Sequence, residues 1–250
     1  MGEREALQKM GRAVTNGPEA VAAATVILAR PNDADEPEIL MLKRNSKLDF
    51  AGGLWVFPGG RVDPHDFEPD QPDNLRIAER RAAAREAAEE AGLDLDPLQM
   101  KRISHWTPPP TAHKRFSTAF FIAEAPRGTV VIDDGEIHDH RWVTATQVLA
   151  EHDDHGIELA PPTFITLSEL ARYPTVSDLR AALENWVVES FATQIAEISD
   201  HVVALYHGDV GYGPAGTPDA EGPRHRLWLD PAGWRYERTT VPVPSDERPL

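Results

Sequence analysis

A chain of 250 residues that is 41% hydrophobic and 26% charged has the composition of a globular protein with one sizeable core. Its 41 acidic residues outnumber its 25 basic residues, and the net charge of −16 argues against a nucleic-acid partner, because phosphate backbones are held by Lys and Arg clusters. The absence of cysteine excludes disulfides and thiolate chemistry. No stretch approaches the ~20 apolar residues of a membrane span, so we expect no membrane partner and a cytoplasmic location.

The first quarter of the chain predicts short strands. Residues 1–17 are polar, and we expect them to be frayed or loosely docked. Ala20–Arg30 and Glu38–Lys43 are apolar runs joined by a segment rich in turn residues, which predicts a β-hairpin with a long loop. A short strand is predicted at Leu54–Phe57, and the Pro-rich residues 61–74 are predicted to form a loop.

The longest predicted helix follows at Leu75–Ala91, which is rich in Ala, Arg and Glu and is closed by Gly92. Residues 190–206 fit helix and strand equally well. The other downstream elements are strands at 100–106, 116–123 and 137–143, helices at 144–151, 162–171 and 177–188, and a hairpin at 226–239.

Three glutamates are concentrated at the end of the long helix. Glu86, Glu89 and Glu90 are spaced i, i+3 and i+4, so their carboxylates share one helical face. They lie in the last two turns, where the helix dipole presents its negative end. These charges repel one another and the dipole, so the arrangement is unfavourable unless a cation compensates it.

A hard divalent cation would supply that compensation. Mg²⁺ prefers carboxylate oxygens, backbone carbonyls and water, and it often shares its shell with substrate phosphates. The Gly59-Gly60 turn can bring a bare carbonyl close to such a site. Surface ion pairs worth ~0.3–0.5 kcal/mol would explain a lone pair of glutamates, but the full string Arg85-Glu-x-x-Glu-Glu-x-Gly is too specific to be expected by chance.

That string resembles the Nudix box, G-x5-E-x7-R-E-U-x-E-E-x-G-U, in which U is a bulky aliphatic residue. Five residues separate Gly60 from Asp66, which takes the place of the first glutamate. Eighteen residues, rather than seven, then separate Asp66 from Arg85, and Ala87 replaces the aliphatic residue. A similar insertion occurs in the branch of peroxisomal-type coenzyme A diphosphatases and their bacterial relatives, which the segment Trp55–Asp63 also resembles.

The resemblance implies a fold and a reaction. The fold is an α/β/α sandwich with a mixed β-sheet at residues 18–158, followed at 159–250 by an extension of helices and a hairpin that is either a lid or a dimerisation element. The reaction is hydrolysis of a diphosphate bond in a nucleoside diphosphate linked to another group, most simply coenzyme A or an acyl-coenzyme A. An ADP-ribose or NADH pyrophosphatase is the alternative within the family. A catalytically silent binding module is a third reading, and the intact glutamate set disfavours it.

The resemblance also assigns the metal ligands. It implies that Mg²⁺, or Mn²⁺ in its place, is held by Glu86, Glu89, Glu90 and the carbonyl of Gly59. The metal ions neutralise diphosphate oxygens and lower the pKa of a bound water, which attacks phosphorus. An acidic protein thereby captures an anionic, nucleotide-type small molecule through its metals.

The remaining site residues follow from the same family pattern and from position. Arg85 is expected to pair with an upstream acid, for which Asp66 is the candidate, and so to position the glutamates. Glu136 precedes the strand predicted at 137–143 and is the candidate general base, with Glu86 as the other choice. Arg44 and Arg115 end or begin strands and are candidate contacts for substrate phosphates.

Overall fold

The computed structural model describes residues 18–47, 51–133 and 135–244. The segment 1–17, predicted to be frayed or loosely docked, lies outside the described residues. The chain forms two compact units. The large unit comprises Val21–Ser104 and Thr118–Trp186, and the small unit contains His105–Ser117 and the chain from Val187 onward. The predicted division into a core at 18–158 and an extension at 159–250 stays a prediction.

The large unit is built on a sheet whose first two strands form the predicted hairpin, with Ala29 opposite Ile39 in an antiparallel register. The side chain of Asn32 shapes the connecting loop by accepting hydrogen bonds from the backbone of Ala34 and Glu36. Along the sheet the order is β3-β2-β1-β6-β5, with β4 paired to β1 and β7 paired to β2. The strands are β1 (Val21–Pro31), β2 (Pro37–Arg44), β3 (Trp55–Val56), β4 (Gly59–Arg61), β5 (Lys101–Thr107), β6 (Phe116–Glu124) and β7 (Ile137–Thr144).

The long helix α1 spans Leu75–Ala91, as predicted. Asn74 caps its first turn, and Gly92, with a φ of 67°, ends it in the left-handed conformation that glycine adopts at low cost. One face of α1 is lined by small side chains, which let the helix approach the sheet closely. This face packs with apolar strand residues in a core that includes Ala82, Ala83, Ala87, Ala91, Val26, Leu28, Leu40, Leu42 and Phe121.

The opposite face of the sheet is buried as well, because Ile39 and Met41 alternate with Leu40 and Leu42 along β2 and all four are fully buried. Three shorter helices complete the large unit: α2 (Ala145–Asp153), α3 (Pro161–Leu170) and α4 (Val176–Glu184). The last of these helices was predicted at 177–188, but it ends at Glu184, four residues before the predicted end, and Asn185 is its C-cap. The result is the mixed α/β fold that was predicted.

In the small unit, the ambiguous residues 190–206 prove to be strands rather than a helix. Ser199 and Asp200 both have positive φ values, 48° and 69°, which is the geometry of a tight hairpin turn. Strand β8 (Glu189–Ala192) pairs with β5, and β9 (Gln194–Ile198), β10 (His201–Leu205), β11 (His225–Asp230) and β12 (Gly233–Arg238) form a sheet in the order β12-β11-β10-β9. The predicted hairpin at 226–239 is present as β11 and β12.

A buried ion pair organises the long connection between β10 and β11. The Asp209 carboxylate accepts hydrogen bonds from Nε of Arg226, at 2.7 Å, and from the backbone of Gly211 and His225. Both charged side chains are almost completely buried. Across the described ranges, no helix has the length and apolar character needed to cross a bilayer.

Candidate functional site

The last two turns of α1 carry the three glutamates, and the structure gives each a different environment. The side chain of Glu90 is 6% exposed, that of Glu86 is 16% exposed and that of Glu89 is 59% exposed. The helix therefore presents one carboxylate to the protein interior, one at its margin and one to solvent. Such a gradient suits a site that is anchored in the fold and open to a ligand on one side.

Arg85 is the centre of this end of the helix, and all five of its N–H donors are used. Its Nε and Nη2 each bond an oxygen of Asp66 at 3.1 Å. The same Nη2 bonds the carbonyl of Arg61 at 2.9 Å, and Nη1 bonds Glu86 at 2.8 Å and Glu89 at 2.9 Å. Asp66 is thus the upstream acid that pairs with Arg85, despite the long insertion between them.

The insertion is folded so that Asp66 can make this contact. Pro64–Asp66 form a short 3-10 turn in which the Asp66 carboxylate also accepts the backbone N–H of Asp63 at 2.8 Å. Glu68 in the following loop pairs with Arg81 on α1. Asp66 is 2% exposed. Burial alone would lower the pKa of Arg85, but its hydrogen bonds to Asp66 and to the neighbouring glutamate raise that pKa overall.

The two glycines before the insertion allow the backbone to reach the glutamates. The N–H of Gly59 donates to Oε2 of Glu90 at 3.0 Å. A Cβ placed on Gly60 would lie 2.2 Å from Oε1 of Glu86, so no side chain fits there without moving that carboxylate. Strand β4 holds both glycines in register with β1, where Gly60 faces Ala24.

Arg44 and Glu136 join the site from the other side. Nη1 of Arg44 lies 3.4 Å from Oε1 of Glu90, and Nη2 lies 3.1 Å from Oε2 of Glu136. The turn that presents Glu136 is held by the carboxylate of Asp133, which accepts the backbone N–H groups of Glu136 and Ile137 at 2.8 and 2.9 Å. The guanidinium of Arg44 thus bridges Glu136, the predicted base, and Glu90, a predicted metal ligand.

The electrostatics of the glutamates reflect this crowding. Burial is the main reason that the pKa of Glu90 is raised to about 8. The charges of Glu86 and Glu136 act in the same direction, and the backbone N–H of Gly59 and the guanidinium of Arg44 act against it. Burial likewise raises the pKa of Glu86, against the opposing effect of its arginine partner. Four glutamates and Asp66 surround two arginines, Arg44 and Arg85, so the acidic groups of the site outnumber its cations.

This donor set fits a hard divalent cation by its chemistry. It consists of glutamate carboxyl groups with the backbone of Gly59 beside them, and the acidic groups outnumber the arginines, so a bound cation would be electrostatically favourable. Within the described ranges, no group of three or more His, Cys, Asp or Glu side chains is gathered closely enough to hold a metal ion. Guanidinium groups hold the carboxylates instead, so the assignment of Glu86, Glu89, Glu90 and the Gly59 carbonyl as ligands stays a prediction.

Arg115 belongs to the small unit, whereas the glutamates belong to the large one. Its guanidinium donates to the carbonyls of Pro18 at 2.9 Å and Pro108 at 3.2 Å, so two of its donors hold the backbone. The predicted phosphate contact of Arg115 stays a prediction. Sequence reasoning missed Asp133, although an aspartate placed shortly before Gly135 and the candidate base is the pattern of a side chain that caps a turn.

Comparison with known proteins places the site in a family. The NUDIX domain profile matches residues 19–161. An acyl-coenzyme A diphosphatase, NUDT19 of Xenopus laevis, is 24% identical over 291 aligned positions, which cover 78% of this chain and 76% of the relative. A Mycobacterium tuberculosis protein provisionally assigned as 8-oxo-dGTP diphosphatase 3 is 27% identical over 137 positions, covering 50% of this chain and 53% of its own.

The fold comparison agrees with the profile. The crystal structure of a NUDIX hydrolase from Alicyclobacillus acidocaldarius superimposes with a TM-score of 0.58 and 22% identity, over 69% of this chain and 98% of that one. The profile spans more than half of the chain, including β1 to β7 and the carboxylate-bearing end of α1. The chain therefore belongs to the NUDIX domain family.

Proposed function

We propose that this Nudix diphosphohydrolase cleaves the diphosphate bond of coenzyme A or an acyl-coenzyme A in a reaction that depends on Mg²⁺. The observation that carries the chemistry is the group of glutamates that Arg85 orients at the end of α1. The substrate class is supported by the similarity to an acyl-coenzyme A diphosphatase, which extends over 78% of the chain and so beyond the residues of the NUDIX domain. The long insertion after Asp66 supports the same branch.

In this proposal Glu86, Glu89, Glu90 and the carbonyl of Gly59 hold the ion, with Mn²⁺ able to replace Mg²⁺. When bound, the ion neutralises the diphosphate oxygens and promotes ionisation of the attacking water. Arg85 fixes two of the carboxylates through its Nη1, and its bonds to the buried acid behind it stop the guanidinium from rotating.

The proton of the attacking water is assigned to a carboxylate oxygen of Glu136, whose side chain is 59% exposed and lies beside the glutamates through Arg44. Glu86 is the other candidate base, because its carboxyl group lies at the site and burial raises its pKa. Arg44 and Arg115 are proposed to contact phosphate oxygens of the substrate. Water adds to phosphorus, the bridging P–O bond breaks, and the leaving phosphate carries the released electron pair.

A substrate panel tests the proposal. Coenzyme A, an acyl-coenzyme A, ADP-ribose, NADH and 8-oxo-dGTP are each incubated with the full chain and Mg²⁺, and the products are identified by mass spectrometry. Release of 3′,5′-ADP from coenzyme A or its thioester is the expected result. Turnover of ADP-ribose or NADH alone would establish the alternative pyrophosphatase activity, and no turnover with any substrate would favour a silent binding module.

Substitutions of the glutamates test the site itself. We expect Glu89→Gln or Glu90→Gln to lower kcat by ~10²-fold or more without loss of the fold, because each removes a charged ligand of the ion that neutralises the phosphate oxygens. Glu124→Gln is the matched control: this glutamate lies in the same unit, is 68% exposed and pairs with Arg180 at the surface. Unchanged turnover in both site variants would overturn the ligand assignment.

The partner, the cellular location and the role of the C-terminal residues are proposed from the sequence alone. A nucleotide-type small molecule is the proposed partner, without nucleic acid, and the proposed location is the cytoplasm. The C-terminal residues 159–250 are proposed to act as a lid or in a homodimer. Light scattering of the purified chain and of a mixture with substrate distinguishes these two roles.

A further inference from the structure

Arg44, a proposed contact for substrate phosphates, has a fixed backbone and a guanidinium that forms hydrogen bonds only with acidic groups among the described residues. Its backbone is fixed, with its N–H donating to Leu54 and its carbonyl accepting from Gly53, both at 3.0 Å. Its side chain is 17% exposed. Within the described part of the chain, its guanidinium contacts two carboxylates, and its buried Nε has no hydrogen-bond partner.

The contrast with Arg85 shows which of the two cations is easier to displace. Arg85 uses all five donors, at 2.8 to 3.1 Å. Arg44 makes one contact of 3.1 Å and one of 3.4 Å, which is long for a charge-assisted bond, and leaves a buried donor unsatisfied. Arg44 is thus a loosely bonded cation beside a firmly bonded one.

Arg44 contacts the oxygen of Glu90 that a divalent ion would also use. Oε2 of Glu90 is already occupied by the N–H of Gly59, and Arg44 lies on the remaining oxygen, Oε1. An ion that binds Glu90 through Oε1 would lie close to the guanidinium, because Arg44 already contacts that oxygen. Two cations at one oxygen repel one another at close range, so the bound ion would weaken the contact of Arg44 with Glu90.

We propose that Arg44 is a built-in counter-cation of the metal-free site, which bridges Glu90 and Glu136 and must release Glu90 when a divalent ion binds. The inference rests on the proposed function, since it takes Glu90 as a metal ligand. Arg44 is a positioning residue in this role. By linkage, whatever stabilises the contact between Arg44 and Glu90 weakens metal binding by the same factor, and metal binding weakens the contact.

The test compares Arg44→Gln with wild type in metal affinity, without substrate. Mg²⁺ and Mn²⁺ are titrated by calorimetry in mildly alkaline buffer, so that the carboxylates are ionised in both proteins. We expect the variant to bind the ion at least about fivefold more tightly. Arg61→Gln is the matched control, because it also removes one positive charge near the site from a side chain that is 65% exposed; its affinity should stay within about twofold of wild type.

Thermal unfolding supplies a second readout. Metal-free Arg44→Gln should melt below wild type, because two carboxylates lose their bridging cation, and added ion should raise its melting temperature by more than it raises that of wild type. Arg44→Lys keeps the charge and should retain an affinity near that of wild type. Arg44→Met also removes the charge, and it replaces the glutamine variant, with the same expected gain in affinity, if the latter does not fold. Equal or weaker ion binding by Arg44→Gln would overturn the inference alone. Failure of the wild-type chain to bind the ion, or binding unaffected by Glu90→Gln, would overturn the proposed function and the inference together.

Discussion

Replacing Asp66 by asparagine tests whether the insertion serves to deliver one buried acid to Arg85. The substitution keeps the size and shape of the side chain and removes its charge. Asp66 accepts two of the five hydrogen bonds of Arg85, both at 3.1 Å, and is almost completely buried. An asparagine can accept at one oxygen only, and its NH2 group would face a guanidinium donor.

The structure sets the expected magnitude. Removing one partner of a fully buried ion pair costs about 3–5 kcal/mol. Arg85 is 17% exposed and keeps its bonds to Glu86, Glu89 and the carbonyl of Arg61, and the asparagine oxygen can still accept one bond, so the cost should lie lower. We expect a loss of about 2–3 kcal/mol in the stability of the large unit. We also expect kcat to fall, because the glutamates lose the fixed orientation of their arginine.

Hydrogen exchange of the α1 amides in the metal-free protein measures this loss, since the two units need not unfold together. Glu68→Gln is the matched control, because it breaks an ion pair between the same insertion and the same helix in which both side chains are about one third exposed. That control should change stability by less than ~1 kcal/mol. An Asp66→Asn protein as stable and as active as the control would refute the argument that this pair holds the site.

Three further changes have expected outcomes. Gly59→Ala should destabilise the fold by ~1–3 kcal/mol in thermal unfolding, because its Cβ would lie 2.6 Å from the β1 backbone, whereas Gly60→Ala meets only the tip of Glu86 and should lose activity with little loss of stability. The free energy of unfolding of the metal-free protein should fall as the pH rises from 4.5 to about 8, because Glu90 keeps its proton in the folded state over this range and loses it in the unfolded chain. Urea titrations across this pH range measure the fall, which should be smaller in Glu90→Gln. Asp209→Asn should cost the small unit ~3–5 kcal/mol, seen as faster hydrogen exchange in β10 and β11, and unchanged exchange would contradict the structural role of its buried pair.

Local chemistry made several elements predictable. The helix at Leu75–Ala91 could be bounded because Gly92 stops it and because no residue within it breaks a helix. The face shared by the three glutamates follows from the helical period alone. The first hairpin was predictable from the residues between its strands, because these are residues that favour turns and so reverse the direction of the chain.

Local signals failed where the competing conformations were close in energy. Residues 190–206 carry apolar side chains compatible with either period, and strand pairing with β5 and within the small sheet decided their conformation. The helix predicted to reach residue 188 stops at Glu184, since the chain is then used for β8. Neither outcome can be predicted from the residues of the segment alone, because both depend on pairing with a strand elsewhere in the chain.

The sequence by itself determined the family, the helix and the spacing of its carboxylates, because these depend on residues within a few turns of one another. The tertiary structure alone decided that Asp66 meets Arg85 across the insertion and that Arg44 bridges Glu90 and Glu136. Those contacts join positions up to 92 residues apart, and only the packing of β1, β2, β4, β7 and α1 brings them within hydrogen-bonding distance. The pairing of β7 with β2 places Glu136 beside Arg44.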